Sequence, residues 1–341
     1  MKFGPVRLDE APGKILGHNI ANAAGRRVLR KGHVLTADDV AQLRRLGRSQ
    51  VYVAELEAND VPEDEAAARL AMVVAGDGLR LSGPTTGRAN LYATTTGVLR
   101  VDAGCLKRFN QFSGITLATL ATNTAVPEGK MVATMKILPY AVPTESVDAA
   151  AAAGAVPGGL VRVDTIPARR VALILSGSPT VRQRIVPSFE NPLRRRLEYL
   201  NASLNTVDFV PLEDEPDEQR LAAVIAHRLA EDSELIVLAG ETAIMDRHDI
   251  APRAVEKAGA VITCYGAPVD PGNLLLLAYH GDVPIMGAPG CARSPKANII
   301  DLILPRLLVG ERLTATDVIA LGHGGLLEDV PERPLPRSQA G

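Results

Sequence analysis

The sequence predicts an α/β protein: a C-terminal three-layer α/β/α domain with a mostly parallel mixed sheet, preceded by a small α/β unit and a strand-rich module. From about residue 168, apolar runs alternate with segments of helical length and periodicity. The run LLLLAYHGDVPIM indicates a hairpin around Gly281-Asp282, which adds an antiparallel pair to the sheet. The 341 residues also exceed what one hydrophobic core usually holds, so two or three domains are expected.

Composition narrows the class of protein. Hydrophobic residues make up 46% of the chain and charged residues 22%, as in an ordinary globular protein. The net charge of -2 provides no basic field for nucleic acid, and no run of 18 apolar residues is present. The N-terminus lacks the apolar core of a signal peptide, and the three cysteines are too widely spaced for a zinc motif. We therefore expect a cytoplasmic protein without a nucleic-acid or membrane partner.

The first predicted domain, residues 1–60, is the small α/β unit. Two short strands surround the turn Ala23-Ala24-Gly25, and a helix follows with Thr36 as its N-cap and Gly47 just beyond its end. The run VYVAEL then forms a strand.

The second predicted domain, residues 61–165, begins with the helical segment VPEDEAAARLAMVVAG and continues as the strand-rich module. Its strands lie in GRANLYATTTGVLRV, GITLATLAT and MVATMKILPYAV, and SVDAAAAAGAVPGG is either a short helix or a linker. Residues 166–330 form the C-terminal α/β/α domain, and the proline-rich residues 331–341 form a flexible tail.

The elements of the C-terminal domain alternate regularly. Strands are predicted in VALILS, LNTVDFVPL, ELIVLAG, AVITCYG, LLLLAYH and VPIMGA. Helices are predicted in PSFENPLRRRLEYLN, PDEQRLAAVIAHRLAED, DIAPRAVEKAG and SPKANIIDLILPRLLVG, the last kinked or broken near Pro305. The run Arg194-Arg195-Arg196 is expected on a solvated helix face.

Four loops of this domain are candidate binding segments, because ligands of open α/β sheets bind outside the carboxyl ends of the strands. All four are rich in glycine, small hydroxyl residues and aspartate, which suits a phosphate-bearing ligand held by backbone N–H groups. They are Ser176-Gly177-Ser178, GETAIMDRHD (240–249), APVDPGN (267–273) and GAPGCARSPK (287–296).

The loop GAPGCARSPK has two interpretations. In the first, Ser294 caps a helix with Pro295 at its first position, and the helix start binds an anion. Gly290 then lets the backbone approach the ligand, while Arg293 and Lys296 add positive charge. In the second, the segment is an ordinary capped turn between a strand and a helix.

The acidic residues and Cys291 also leave alternatives open. Glu241 and Asp246 are candidate ligands of Mg²⁺, whereas Asp249 is expected mainly to cap the helix that follows it. Cys291 is a nucleophile, a soft metal ligand or a small filler. Because GxGxxG, GxxxxGK[ST] and GxSxG are absent, dinucleotide dehydrogenase, P-loop and α/β-hydrolase interpretations lose support.

The loops, in this order, resemble the molybdopterin-binding domain of the molybdopterin molybdotransferase and adenylyltransferase families. AGETAIMDRHD, APVDPGN and GAPGCARSPK carry the resemblance over about 168–330, and LDEAPGKILGHNI with LRKGHVLTADDVAQLRRLGRSQVYV extends it in part over 1–60. GRANLYA, MVATMKILPYAV, PVDPGNLL and PGCARSPK look closest to the molybdopterin-binding region associated with maturation of molybdenum hydroxylases. SGSP lacks the family's acidic residue, and Cys-Ala-Arg replaces its Asn-Pro-Val.

The resemblance implies that the protein binds molybdopterin or the molybdenum cofactor, for cofactor biosynthesis or for delivery to molybdenum hydroxylases. An alternative is an active, Mg²⁺-dependent molybdotransferase that uses molybdate, with Asp246 and Glu241 as catalytic residues and metal ligands. A third is a nucleotide-binding regulatory protein. A molybdenum hydroxylase or its maturation factors are implied partners, and the chain could form a homo-oligomer. The implied cofactor-binding residues are Ser176, Gly177, Ser178, Gly240, Thr242, Asp249, Pro271, Gly272, Asn273, Pro289, Gly290, Cys291, Arg293, Ser294 and Lys296.

Overall fold

The computed structural model describes residues 1–212 and 216–327, which form two compact units. The first unit contains Met1–Thr95, Leu99–Thr122 and Glu128–Val163. The second contains Thr96–Val98, Asn123–Pro127 and the chain from Asp164 onward. The expected boundary at residue 60 falls inside the first unit, and the three-domain division stays a prediction. The predicted tail, 331–341, lies outside the described residues.

The first unit is built mainly from antiparallel strands. The strands up to residue 165 are β1 (Lys2–Arg7), β2 (Ile15–Leu16), β3 (Ile20–Ala21), β4 (Arg27–Leu29), β5 (Gln50–Glu55), β6 (Asp60–Pro62), β7 (Leu79–Leu81), β8 (Arg88–Ala93), β9 (Gly97–Val101), β10 (Ile115–Thr119), β11 (Ala125–Val126), β12 (Met131–Ile137), β13 (Ala141–Pro143) and β14 (Val161–Thr165). Of these, β11 and one end each of β9 and β14 belong to the second unit. The helices are α1 (Ala37–Arg45), α2 (Glu63–Val74), α3 (Ala103–Phe109) and α4 (Thr144–Gly154). A four-stranded sheet of order β10-β12-β8-β7 packs against α2.

Local signals in the sequence correctly place several of these elements. Thr36 caps α1 through a capping box with Asp39, and Gly47 follows the helix with φ +76°. Gly25, with φ +74°, turns the chain between β3 and β4. The alanine-rich tract forms α4, so the helical alternative is the correct one. The sequence patterns did not predict α3, whose N-cap Asp102 accepts a hydrogen bond from the backbone of Cys105.

The second unit is the predicted mixed sheet flanked by helices. Its remaining strands are β15 (Arg170–Gly177), β16 (Ser203–Pro211), β17 (Leu235–Gly240), β18 (Val261–Tyr265), β19 (Leu276–His280) and β20 (Val283–Gly287). Its helices are α5 (Arg182–Tyr199), α6 (Pro216–Ala230), α7 (Ile250–Lys257), α8 (Ile299–Leu308) and α9 (Ala315–Ile319). The strand order is β16-β15-β17-β20-β19-β18, with β19 antiparallel to both of its neighbours. The hairpin around Gly281-Asp282 is thereby confirmed.

Alternating side chains of β15 divide the core of the second unit into two layers. Leu173 and Leu175 belong to the hydrophobic cluster that contains residues of α5 and α8. Ala172 and Ile174 belong to the cluster that contains residues of α6 and α7. Because both faces of the sheet are covered, its strands are apolar throughout, which is the pattern that the sequence shows. The three-layer α/β/α prediction is confirmed.

Two helix boundaries differ from the prediction. The helix expected to start at Ser294 begins instead at Ile299, because Asn298 is its N-cap and forms a capping box with Asp301. It continues to Leu308 with Pro305 inside it, so it is not broken there. The helix expected from Pro187 begins earlier, at Arg182, and accommodates two prolines. Within residues 1–212 and 216–327, every helix is too short or too polar to cross a membrane.

Candidate functional site

The four candidate loops lie at the same edge of the six-stranded sheet, here called the carboxyl edge. β15, β17 and β20 are parallel, and Ser176 of β15 lies directly opposite Gly240 of β17. β18 points the same way, because β19 is antiparallel to both β18 and β20. The loops that follow β15, β17, β18 and β20 therefore share one edge, as the sequence predicted.

A cavity of about 310 Å³ opens at the carboxyl edge. Four predicted site residues line it: Ser176, Gly240, Thr242 and Asp249. Apolar side chains supply most of the remaining wall, namely those of Ile174, Leu212, Leu221, Leu238, Ala239, Ala243, Ile244, Met245, Ile250, Ala251 and Ala288. Among the described residues that line the cavity none is basic, so it favours an uncharged group that presents hydrogen-bond donors to the carboxylate of Asp249.

The carboxylates of the 240–249 loop are engaged in folding that loop. Asp249 Oδ2 accepts hydrogen bonds from the backbone N–H groups of Met245 (2.7 Å) and Asp246 (3.0 Å). Asp249 therefore occupies the N-cap position of α7 without making the capping bond that the sequence predicted. Asp246 accepts hydrogen bonds from the backbone and ring nitrogens of His248, which lower the pKa of its carboxyl.

Glu241 and Asp246, the predicted ligands of Mg²⁺, have different hydrogen-bond partners, and their metal-binding role stays a prediction. Glu241 Oε2 accepts a hydrogen bond from the backbone N–H of Ser178 at 3.0 Å, whereas the partner of Asp246 is His248. Across residues 1–212 and 216–327, no group of three or more His, Cys, Asp and Glu side chains is placed to hold a metal ion. The donor set of these loops thus does not fit Mg²⁺ bound by protein carboxylates alone.

Arg293 connects the loop after β20 to the loop after β17. Its Nη2 donates to the carbonyl oxygens of Gly240 (3.1 Å) and Glu241 (3.3 Å). Its guanidinium lies 4.6 Å from the centroid of the Phe189 ring, a favourable cation–π geometry. The charge of Arg293 is therefore already used in holding two loops of the site together.

Two residues that sequence reasoning missed, Arg196 and Asn298, hold the segment 291–297. Arg196 Nη2 donates to the carbonyl oxygens of Ser294 (2.9 Å) and Lys296 (3.2 Å). Asn298 is only 1% exposed, and its Nδ2 donates to the carbonyl oxygens of Cys291 (3.2 Å) and Lys296 (2.9 Å).

The side chain of Arg196 is 11% exposed, so the prediction of a solvated arginine face is wrong at that position. Sequence signals for Asn298 did exist, since asparagine followed three residues later by aspartate before an apolar run indicates an N-cap.

Several predicted site residues lie at the carboxyl edge but outside the cavity wall. Gly272 is buried, with φ +139°, and a Cβ there would lie 2.3 Å from Cβ of Ile299. The carbonyl oxygen of Pro271 accepts a hydrogen bond from the N–H of Ile299, so these residues fix the start of α8. The others outside the wall are Gly177, Ser178, Asn273, Pro289, Gly290, Cys291, Arg293, Ser294 and Lys296.

The predicted anion site at Ser294 changes with the position of the helix. Ser294 ends the short 3-10 turn Gly290–Arg293, and its Oγ accepts a hydrogen bond from the N–H of Lys296. The first turn of α8 begins five residues later and has its own cap, Asn298. The prediction that Ser294 and Pro295 start a helix is therefore wrong, and of the anion interpretation the open backbone at Gly290 and the charge of Lys296 remain.

Comparison with known proteins gives partial likenesses. A domain of unknown function, DUF8806, matches residues 5–55, and a search of curated proteins found no match. A molybdenum cofactor biosynthesis protein from Pyrococcus furiosus is 11% identical, with 94% of this chain and 65% of that chain covered and a TM-score of 0.25. The molybdopterin biosynthesis moea protein from Pyrococcus horikosii is 12% identical, with coverages of 90% and 75% and a TM-score of 0.31.

A third structure, molybdenum cofactor biosynthesis protein B, is 16% identical over 42% of this chain and 95% of that chain, with a TM-score of 0.30. At TM-scores of 0.25 to 0.31, these likenesses establish neither a shared fold nor a shared function. The chain spans 65% of the length of the Pyrococcus furiosus protein.

Proposed function

We propose that the protein binds molybdopterin or the molybdenum cofactor at the carboxyl edge of the six-stranded sheet. In this role it serves cofactor biosynthesis or delivery to a molybdenum hydroxylase. The observation that carries the proposal is the meeting of the four loops at one edge, where three of them contribute to the wall of a cavity of about 310 Å³. Those loops are the segments whose sequences resemble molybdopterin-binding proteins.

The chemistry of the cavity supports a pterin ring as the group inside it. A pterin is flat and uncharged, and its amino and ring N–H groups donate hydrogen bonds. The apolar wall contacts the ring faces, while Asp249 and Thr242 offer oxygen acceptors at the mouth. The phosphate of the cofactor then points out of the cavity, because the cavity wall carries no basic side chain among the described residues.

The alternative, an Mg²⁺-dependent molybdotransferase, has less support. It needs Glu241 and Asp246 to act together on a metal, but each has a different hydrogen-bond partner. Binding without turnover is therefore the function that the site favours.

Copurification tests the proposal directly. The protein is isolated from cells that make the cofactor, and its bound pterin is oxidised to a fluorescent derivative and quantified per chain. We expect the wild-type protein to carry pterin. The variant Thr242→Trp fills the mouth of the cavity and should carry at least about tenfold less pterin, a change of about 1.4 kcal/mol in binding free energy. Val261→Trp is the matched control, because Val261 is 71% exposed and starts β18 at the opposite edge.

Absence of pterin from the wild-type protein, or equal loading of both tryptophan variants, would refute the proposal. Incubation of the pterin-loaded protein with molybdate and Mg²⁺ distinguishes cofactor binding alone from the transferase alternative. Formation of molybdenum cofactor that depends on Asp246 would favour the transferase.

A further inference from the structure

The first unit carries a polar surface that the proposed function does not use. It lies on one face of the sheet β10-β12-β8-β7 and is here called the polar sheet face; its residues are Arg80, Arg88, Asn90, Tyr92, Thr134 and Lys136. Strand register places them side by side: Asn90 opposite Thr134, and Arg80 opposite Tyr92. The alternate residues of β8 are buried, so this face points away from the core.

Positive charge is concentrated at one point of the polar sheet face. Lys136 of β12 lies directly opposite Arg88 of β8, and like charges in that position destabilise a sheet. Within residues 1–212 and 216–327, no carboxylate forms an ion pair with Arg88 or Arg80, and Lys136 has only Glu63 at 3.4 Å. Among the described residues, Lys136 therefore has one carboxylate partner and Arg88 has none.

Hydrogen bonds fix the direction of these side chains. Arg88 Nη1 donates to Thr134 Oγ1 at 3.2 Å, and that hydroxyl donates to Asn90 Oδ1 at 2.7 Å. Asn90 Nδ2 in turn donates to the hydroxyl of Tyr92 at 3.4 Å. The guanidinium of Arg80 lies 4.5 Å from the centroid of the Tyr92 ring. The cations are therefore held in place before any ligand arrives.

The turn that precedes β8 helps to fix the position of Lys136. Thr86 has φ +50°, a conformation that is unfavourable for a β-branched residue, and its carbonyl oxygen accepts a hydrogen bond from Nζ of Lys136. The next residue, Gly87, donates its N–H to Asp64 Oδ1 at 2.6 Å. Thr86 and Gly87 form the two-residue turn between the paired residues Thr85 and Arg88, and a tight hairpin turn of this kind requires positive φ at both positions.

We propose that the polar sheet face binds a small molecule that carries a pyrophosphate group. The pyrophosphate contacts Arg88 and Lys136 and neutralises these two positive charges, which face each other across the strands. Tyr92 lies four residues from Arg88, about 13 Å along the strand at about 3.3 Å per residue. Arg80 lies opposite Tyr92, so its guanidinium is at the right distance to stack on a planar organic group of the same ligand. This site is in the first unit and goes beyond the proposed function.

Calorimetric titration of the whole protein tests the site, with inorganic pyrophosphate and ADP as probes. We expect both to bind, ADP at least as tightly, with affinities that fall as salt is added. Arg88→Gln combined with Lys136→Gln should weaken both by at least about tenfold, since two charge-assisted contacts are lost. The control is Lys107→Gln combined with Arg45→Gln, which removes two exposed cations from the same unit and should bind like wild type.

Thermal unfolding guards against a fold defect. Arg88→Gln should not lower Tm, because it relieves the repulsion by Lys136. Arg80→Gln, at an exposed position, should weaken the binding of ADP by at least about threefold, whereas the affinity for pyrophosphate should change less. If neither probe binds the wild-type protein, or if the Arg88/Lys136 double variant binds like the control, the proposal is wrong.

Discussion

Arg196 on α5 forms an ion pair with Asp301 on α8, with 2.8 Å between Nε and Oδ1. The same guanidinium donates to carbonyl oxygens of the segment between β20 and α8. Arg196 thereby ties a helix on one face of the sheet to the loop that the sequence singles out as a candidate binding segment. The contact is structural, and its loss should be felt first in the stability of the second unit.

We expect Arg196→Ala to lower the free energy of unfolding by about 1.5–3 kcal/mol, because the carbonyl oxygens and the carboxylate of Asp301 lose a charged donor. Arg195→Ala changes an exposed neighbour and should stay within about 0.5 kcal/mol of wild type. Urea unfolding measures both. Equal destabilisation by the two variants would mean that Arg196 makes no special contribution.

Arg293→Ala should loosen the loop after β20 without unfolding the protein. The variant loses the hydrogen bonds to Gly240 and Glu241 and the contact with Phe189, all at the carboxyl edge. We expect faster amide exchange at residues 290–293 and at least about threefold less bound pterin, with Tm lowered by only a few degrees. Arg293→Lys keeps the charge but not the planar fork and should resemble Arg293→Ala. Unchanged amide exchange in both variants would contradict the bridging role.

The two glycines of the candidate loops should respond differently to alanine. Gly272→Ala places a Cβ 2.3 Å from Cβ of Ile299 in a backbone conformation that alanine avoids, so it should destabilise by about 1–3 kcal/mol or more. The Cβ added in Gly290→Ala meets no atom within 4 Å, so the free energy of unfolding should stay within about 0.5 kcal/mol of the wild-type value. If Gly290 admits a ligand closely, its alanine variant will lose pterin while keeping its stability. Thermal unfolding and pterin loading together distinguish the two effects.

Substitutions of Lys296 and Cys291 test whether the loop GAPGCARSPK contacts the cofactor. Lys296 is exposed and α8 does not start beside it, so Lys296→Ala should weaken cofactor binding less than about tenfold, as a surface charge does. Cys291→Ser should change binding by less than about threefold if the thiol is only a filler. A collapse of binding in Cys291→Ser would instead indicate contact with molybdenum or a dithiolene sulfur, because a hydroxyl replaces a soft ligand poorly. Titration of both variants with the cofactor decides between these outcomes.

Glu218 should make stability depend on pH in the acid range. Its carboxyl accepts a hydrogen bond from Lys257, which, with the nearby charge of Arg253, lowers its pKa in the folded protein. A carboxyl with a lowered pKa stabilises the fold fully above its unfolded pKa of about 4.3 and loses that contribution as pH falls through the folded value. Wild type should therefore be more stable than Glu218→Gln near pH 7, and the difference should shrink as the pH is lowered past 4.

Glu256→Gln is the control for this titration, since Glu256 is exposed and its closest cation, on Arg247, is 3.4 Å away. Chemical unfolding at a series of pH values measures both variants. A constant difference between wild type and Glu218→Gln from pH 7 to pH 3 would show that this carboxyl is not responsible.

Local and periodic features of the fold could be predicted from the sequence. Apolar strands alternating with amphipathic helices predicted the three layers, and Thr36 and Gly47 predicted the ends of α1. These signals are readable because capping and burial depend on residues close in sequence. The same regularity placed four loops at one edge of the sheet.

The details of the candidate site depended on tertiary contacts. Ser294 satisfies the local preferences of an N-cap, yet α8 starts at Ile299, where Pro271 accepts its N–H and Arg196 holds the preceding carbonyl oxygens. Likewise, Asp249 points back into its own loop.

The sequence by itself determined the α/β architecture, the mixed sheet and the edge at which the candidate loops meet. Only the tertiary structure decided that Glu241 and Asp246 take separate partners, that Arg293 bridges two loops and that only 11% of the Arg196 side chain is exposed. The physical reason is range: periodicity and capping act within a few residues, whereas a carboxylate or guanidinium pairs with whatever group the fold brings near it. Arg196 and Asp301 are separated by 105 residues, a distance over which no local pattern carries information.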